Sequence, residues 1–276
     1  MTQAIAVARY TLLELTRRRL VLLIVGVGVV LSAGIAIAPF VLPHNTTDTD
    51  KLIVSLTGLH EIVPNAVLLC ALAIGMTVIN HDLDSGAVVS VFAKPVSRAR
   101  YTAGKLVAGV SLLLVIVIIF TAGSLLIVAL DGGHVYEVVF WACAALAANA
   151  VLLMLLTMAL TVYLNNVIAA VIVLAFNFVA GNVLSLYAMV QHNVITDGAL
   201  KTMVSIVYWA VPHELSSNLE RQIEQLRLAT QVEVVRGFDP LARIPGASGT
   251  VDIVFWFGYA VAICLLMFWS VRRKQV

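Results

Sequence analysis

Two adjacent histidine–glutamate pairs, His60-Glu61 and His213-Glu214, come closest in this sequence to side chains that could perform acid–base or metal chemistry. Neither pair has a second ligand at helical spacing, which a zinc-binding HExxH helix would require. The sequence also contains no GxSxG nucleophile motif, no paired cysteine and histidine, and no aspartate-rich metal motif. We therefore interpret both pairs as loop features, and we predict no catalytic residue and no metal site.

Nucleotide chemistry is the next possibility, because Gly104-Lys105 could close a phosphate-binding loop. Such a loop needs an upstream glycine and a serine or threonine directly after the lysine, whereas Leu106 follows here. We expect no cofactor in this chain. If nucleotide hydrolysis drives this protein, another chain must bind the nucleotide.

The composition of the chain is that of a membrane protein. Of its 276 residues, 61% are hydrophobic and only 12% are charged, whereas roughly 25% of the residues in soluble domains are charged. Many of the apolar residues form runs of the ~20 residues that a helix needs to cross a bilayer. The sequence therefore predicts an all-α membrane protein in which residues 1–276 form a single transmembrane domain.

Six apolar runs are predicted to be membrane spans: residues 20–42, 63–80, 106–130, 136–160, 167–190 and 251–271. Because Pro64 suits the start of the second span, residues 43–62 are predicted to be a loop. Asn149, Asn177 and Asn182 fall within the fourth and fifth spans. Polar side chains in spans usually bond to neighbouring helices, and a role in substrate binding is the alternative.

Residues 2–19 precede the first span and show apolar residues at helical spacing on one side. This pattern predicts an amphipathic helix in the membrane interface, and an extension of the first span is the alternative. Arg17, Arg18 and Arg19 then form a cytoplasmic anchor. The apolar run after them is too long for a cleaved signal peptide.

Residues 191–250 form a long external segment that contains two predicted helices. The first, Met203 to Val211, is apolar and aromatic and suits an interfacial or re-entrant position. The second begins at a capping-box pattern in residues 217–220. Its apolar stripe consists of Leu219, Ile223 and Leu226.

The distribution of charge orients the chain. The basic residues predicted on the cytoplasmic side are Arg9, Arg17, Arg18, Arg19, Lys94, Arg98, Arg100, Lys105, Arg272, Arg273 and Lys274. They outnumber the acidic residues there, so both termini should lie in the cytoplasm of a prokaryote, with the chain crossing the inner membrane several times. Within the predicted spans the only charged residues are Glu137 and Asp252, and both lie near a span end. This near absence of intramembrane charge disfavours an ion-driven secondary carrier.

A polar segment, residues 82–100, lies between the second and third spans. The residues that carry its pattern are Asp82, Asp84, Gly86, Val88, Val89, Phe92, Lys94, Pro95, Ser97 and Arg98. Acids at the start favour a short helix, since a helix N-terminus attracts negative charge, and Pro95 ends that helix. Apolar side chains exposed beside the membrane indicate a docking surface for another protein, and a solvated loop is the alternative.

This order of elements resembles the permease subunits of type-2 ABC transporters. The specific match runs from Asp84-Ser85-Gly86 through Lys94-Pro95-Val96-Ser97-Arg98 to Tyr101 and Gly104-Lys105. In that family this segment is the coupling helix, which sits in a cleft of the ATPase. The spacing of the spans is also similar to the permease used in nitrous-oxide-reductase maturation. The family often has glutamate where Asp84 stands here.

The resemblance implies a permease that exports a substrate and carries no nucleotide itself. ATP and magnesium would be bound by two copies of a separate ABC ATPase, docked on residues 82–100. A second permease copy, expected to be identical, would complete the dimer in the lipid bilayer, and residues 191–250 would cover its outer mouth or meet an external partner. No nucleic acid is expected, and the cargo is not defined. A secondary carrier and a membrane-embedded enzyme are the alternatives.

Overall fold

The computed structural model describes residues 2–16, 48–79, 97–130, 136–230 and 240–273, together with the single helical positions 26, 30, 33, 34 and 37. The described part is all-helical, as the sequence predicts. Its helices are α1 (Thr2–Thr16), α2 (Asp48–Val78), α3 (Arg98–Leu130), α4 (Tyr136–Thr161), α5 (Asn166–Gln191), α6 (Gly198–Ala210), α7 (Leu219–Thr230) and α8 (Thr250–Arg273), with a 3-10 turn at Pro240–Arg243.

Five of these helices, α2, α3, α4, α5 and α8, are long and apolar enough to cross a membrane. They correspond to the last five predicted spans. The predicted first span, residues 20–42, lies largely outside the described residues, so the number of six spans stays a prediction.

The predicted loop over residues 43–62 is wrong from residue 48 onward, because α2 already begins at Asp48. Pro64 lies inside the helix rather than at its start. A proline inside a helix lacks an N–H and its ring crowds the carbonyl four residues earlier, but membrane helices tolerate proline where neighbouring groups compensate the freed backbone groups. The apolar residues before Pro64 belong to the same helix, and Leu56 and Leu59 are buried in the core.

The long helices run antiparallel, so the bundle has two ends. At one end, which we call the α1 end, the Arg98 guanidinium near the start of α3 donates to the carbonyl of Arg272 near the end of α8 (3.2 Å). At the other end, Arg227 of α7 donates to the Thr57 hydroxyl near the start of α2 (2.9 Å). We call residues 192–230 and 240–249, which cover this second end, the cap.

Close helix crossings hold the core together. At Gly75 of α2, an added Cβ would stand 2.7 Å from Cβ of Thr157 and 2.9 Å from the carbonyl oxygen of Met154, both on α4. The missing side chain therefore allows α2 and α4 to touch backbone to backbone. By contrast, α5 and α8 expose large apolar side chains such as Phe178 and Phe257, as expected of helices that face lipid.

The cap contains both helices predicted in residues 191–250. Asp197 caps α6 by accepting from the N–H groups of Ala199 (2.8 Å) and Leu200 (3.2 Å). The second helix, α7, begins at Leu219, and the Asn218 carbonyl accepts its first helical bond from Gln222 (2.9 Å). The buried stripe is formed by Leu219 and Ile223, with Leu226 half-buried against the same core.

Candidate functional site

A cavity of about 370 Å³ opens at the cap end of the bundle, between α2, α4, α5 and the cap residues 214–220. Its walls are mostly apolar, with residues such as Val63, Leu146 and Leu184. A few polar side chains also line it, among them Glu214 and Asn177. A concave, largely apolar space with few polar groups is the usual form of a small-molecule site.

Asn149, in the middle of α4, fixes the cap over this cavity. Its side-chain amide donates to the carbonyl of Leu215 and accepts from the N–H of the same residue, both at 2.9 Å. The amide thus satisfies both backbone hydrogen-bonding groups of Leu215, as a neighbouring β-strand would. The expected bond to another helix is therefore a bond to the cap.

Glu214 precedes this anchored residue and lies against the cavity wall. No hydrogen bond or ion pair reaches its carboxyl group from any part of the chain that the structure describes. Burial raises the pKa of the carboxyl from 4.5 to about 7, because the ionised form loses its hydration. A carboxyl group in this setting can gain or lose its proton near neutral pH, and in its ionised form it can bind a cation.

One face of α5 forms the cavity wall directly in front of the Glu214 carboxyl group. Asn177, Gly181 and Ser185 all line the cavity at intervals of four residues, which places them on the same side of the helix. A Cβ added at Gly181 would meet only the Glu214 Oε2 atom, at 4.0 Å. The glycine therefore leaves the space in front of the carboxyl open.

The neighbouring His213 is buried and holds this part of the cap in place. Its ring stacks on Tyr208 of α6 (centroids 3.9 Å apart), and its Nδ1 atom lies 3.1 Å from the Tyr208 carbonyl oxygen. Nε2 lies 3.3 Å from the Asp252 carboxylate, without the geometry of a hydrogen bond. The Tyr208 hydroxyl donates to the same carboxylate (2.8 Å). Burial, aided by Asp252, raises the pKa of the Tyr208 phenol well above its usual range, so it remains a donor.

The two histidine–glutamate pairs therefore lie in different structural environments. His60 and Glu61 lie within α2, so the loop interpretation is wrong for this pair. His60 lies near Glu220 (3.9 Å) with both side chains partly exposed, and Glu61 is exposed. His213 and Glu214 do lie in a loop, between α6 and α7, as the sequence predicts, but His213 is buried and Glu214 half-buried, which the sequence interpretation missed. The apolar residues that flank this pair, from Val204 to Val211, were the available signal. In the described residues no cluster of histidine, cysteine, aspartate and glutamate could hold a metal ion.

Most of the site residues predicted from the sequence lie outside the described residues: Arg17, Arg18, Arg19, Asp82, Asp84, Gly86, Val88, Val89, Phe92, Lys94 and Pro95. Ser97 and Arg98 are described, and both lie at the α1 end. The Ser97 hydroxyl accepts from the N–H of Arg100 (3.4 Å), and α3 begins at Arg98. The remaining assignments stay predictions.

The first turns of α3 carry the described part of the resemblance motif, and α1 packs directly on them. At Gly104, an added Cβ would stand 2.8 Å from both the Ala4 carbonyl oxygen and the Val7 Cβ of α1. Lys105 is buried 4.0 Å from Glu14 of α1. The glycine and the charge contact together join α1 to the start of α3.

The described architecture is that of an α-helical protein that crosses a membrane several times. The chain belongs to the ABC-2 family transporter proteins, because the model of that family matches residues 6–276. A comparison with curated proteins found no match. The chain is therefore a membrane-spanning permease subunit of an ABC transporter, and membership in the family implies pairing with an ABC ATPase. The likeness to the permease of nitrous-oxide-reductase maturation stays a prediction.

Proposed function

We propose that this permease works as a homodimer that exports its substrate with ATP hydrolysed by two copies of a separate ABC ATPase. The ATPase docks on residues 82–100, with Val88, Val89 and Phe92 as its apolar contacts. Both termini lie in the cytoplasm, and the cap faces outward from a prokaryotic inner membrane. Asp82 and Asp84 start the docking helix, and Pro95 ends it.

The observation that supports this proposal best is the clamp around the start of α3. Arg98 bonds to the end of α8, and Gly104 lets α1 lie against the second turn of α3. Arg100 adds a hydrogen bond to Gln3 of α1 (2.8 Å). A force on the segment before Ser97 would therefore act on three helices together.

The same contacts support including residues 2–16 in the proposed coupling machinery. Thr11 and Leu15 of α1 are buried in the bundle, whereas Ile5 and Tyr10 remain exposed. An exposed face with apolar and aromatic side chains suits the boundary between headgroups and hydrocarbon. We infer that α1 moves with α3 along the membrane surface when the ATPase closes.

Photo-crosslinking tests the docking site. The substitution Phe92→benzoylphenylalanine in the tagged full-length chain should capture an ABC ATPase in cell membranes, which mass spectrometry would identify. The matched control is Tyr163→benzoylphenylalanine, because Tyr163 is an exposed aromatic residue in the other turn at the α1 end. Capture at position 163 but not at position 92 would contradict the assignment. Native mass spectrometry of the complex should find two permeases with two ATPases.

A further inference from the structure

We propose that the cap-end cavity binds a small organic cation, with Glu214 as counter-ion to a protonated amine and the apolar walls around the rest of the molecule. This inference deepens the proposed function and rests on it, because the bound cation is taken as the class of molecule that the permease transports. It assigns the cargo site to residues that the coupling segment does not include.

The charges around the cavity favour a cation over an anion. Among the described residues that line it, two are glutamates and none is lysine or arginine. Glu220 has a partial partner in His60, 3.9 Å away, and both side chains lie toward solvent. Glu214 is the carboxyl left without such a partner, so it gives the inner cavity a negative potential once ionised. An anionic ligand would be repelled there.

The ionised Glu214 carboxylate also lacks a partner that compensates its lost hydration, and a bound cation would supply one. An ionised group taken out of water costs several kcal/mol of free energy unless a partner compensates it. A bound ammonium supplies that partner as a charge-assisted hydrogen bond. The side-chain oxygens of Asn177 and Ser185 line the same space, and neither residue has a hydrogen bond to another described residue. They can accept the remaining ammonium protons.

The size of the space limits the ligand. A volume of about 370 Å³ lies within the range of small-molecule pockets, roughly 300–1,000 Å³. Apolar residues on α2 and α4 line much of the cavity, including Leu68, Val139 and Leu153. A compact aromatic or aliphatic amine fits both the charge and the lining better than a sugar or a phosphate.

Proton competition gives the site a pH dependence. With the pKa of Glu214 at about 7, the carboxyl is mostly ionised at pH 8 and mostly protonated at pH 6. Among the described residues, the other titratable groups that line the cavity are His60 of α2, Glu220 of α7 and the thiol of Cys143 on α4, whereas α5 contributes only uncharged polar groups. His213 points away from it, to Tyr208 and Asp252. An amine that stays protonated throughout should bind about tenfold more weakly at pH 6 than at pH 8.

The experiment measures binding to the purified full-length permease in lipid nanodiscs, without the ATPase. The probes are tryptamine, its neutral analogue indole-3-ethanol and the anion indole-3-propionate. Tryptamine should bind at pH 8 at least tenfold more tightly than the other two, since a hydrogen bond between two charged groups is stronger than one to a neutral group. Glu214→Gln should reduce tryptamine affinity at least tenfold, leave indole-3-ethanol unchanged and remove the pH dependence.

Two further variants guard against misfolding as an explanation. Gly181→Ala adds one methyl group whose only neighbour is Glu214 Oε2 at 4.0 Å. It should weaken tryptamine binding without lowering the unfolding temperature. Glu137→Gln removes an exposed carboxyl group at the cap end of α4 and should change neither tryptamine affinity nor the unfolding temperature.

Equal binding of tryptamine and indole-3-ethanol, no binding of tryptamine at pH 8, or an unchanged affinity in Glu214→Gln would each overturn the proposal. These outcomes would leave the capture of the ATPase at position 92 untouched. Conversely, failure of that capture would contradict the proposed function and not the binding result. The two failures are therefore distinguishable.

Discussion

The side-chain amide of Asn149 and the backbone of Leu215 form a closed pair of hydrogen bonds, each 2.9 Å long. This pair joins the middle of α4 to a cap residue 66 positions away in sequence. It places Glu214 beside the cavity, since the two cap residues are adjacent. The geometry of the candidate site therefore depends on an asparagine that lines the cavity and whose amide group bonds to the cap backbone.

Replacing this asparagine should loosen the cap. Asn149→Ala leaves the N–H and the carbonyl of Leu215 without partners in a half-buried setting, which costs about 1–3 kcal/mol of unfolding free energy. Thermal unfolding of the purified protein measures it. Asn182→Ala is the matched control, because Asn182 is exposed and donates only to the Phe178 carbonyl of its own helix. Equal losses in both variants would contradict the role assigned to Asn149.

The contact between α1 and α3 can be tested with one substitution at two places. Gly104→Ala would place a Cβ 2.8 Å from the backbone of α1, whereas Gly123→Ala on the same helix meets nothing within 4 Å. The first should lower stability by about 1–3 kcal/mol through overpacking. The second should leave stability unchanged or raise it, because alanine favours helix more than glycine does. Thermal unfolding in detergent compares them, and a stable Gly104→Ala protein would refute the close packing.

The pH dependence of stability tests the burial of Glu214. Its folded pKa of about 7 lies above the unfolded value near 4.5, so the native carboxyl keeps a proton that the unfolded chain has released. Stability from this group is present at low pH and is lost as the pH rises through that window.

Glu214→Gln should therefore gain stability over the native protein as the pH rises from 5 to 8, by up to about 3 kcal/mol. Below pH 4.5 the difference between the two proteins should become independent of pH. Unfolding temperatures across this range measure the effect, with Glu137→Gln as the exposed control. A constant difference at every pH would show that Glu214 is hydrated.

The orientation of the bundle is a separate prediction. Ser97→Cys at the α1 end should react with a membrane-impermeant maleimide only from the cytoplasmic side. Gln225→Cys on α7 should react only from the outside, since both positions are exposed. The native Cys70 and Cys143 are buried and contribute little background. Outside labelling at position 97 would reverse the whole topology.

The sequence predicts the positions of the described helices well where the length and apolarity of a run determine them. The runs that become α3, α4, α5 and α8 are uncharged over a bilayer's thickness. The ends of α4, α5 and α8 lie within two residues of the predicted ends, whereas α3 ends at the predicted Leu130 but begins at Arg98 instead of residue 106. It failed at α2, where Pro64 was taken for a boundary although the helix continues through it. Local rules for proline do not include the packing that compensates the lost hydrogen bond.

The candidate cavity was not predictable from the sequence in the same way. The sequence around His213-Glu214 predicts a loop but not the burial of the pair. That burial depends on α4, α5 and α8, which come from distant parts of the chain. Asn149 was recognised as a polar residue in a span, but its partner is backbone, which carries no sequence signal. The coupling residues around Phe92 remain a prediction from sequence pattern.

The central claim is that residues 82–100 dock the ATPase, and copurification with Phe92→Asp tests it most directly. A charge placed in an apolar docking contact should cost roughly 2–5 kcal/mol of binding free energy. The tagged variant should insert in normal amounts but lose the copurifying ABC ATPase and its activity, whereas Tyr163→Asp at the exposed turn should keep both. A normal yield of active ATPase with Phe92→Asp would contradict the account.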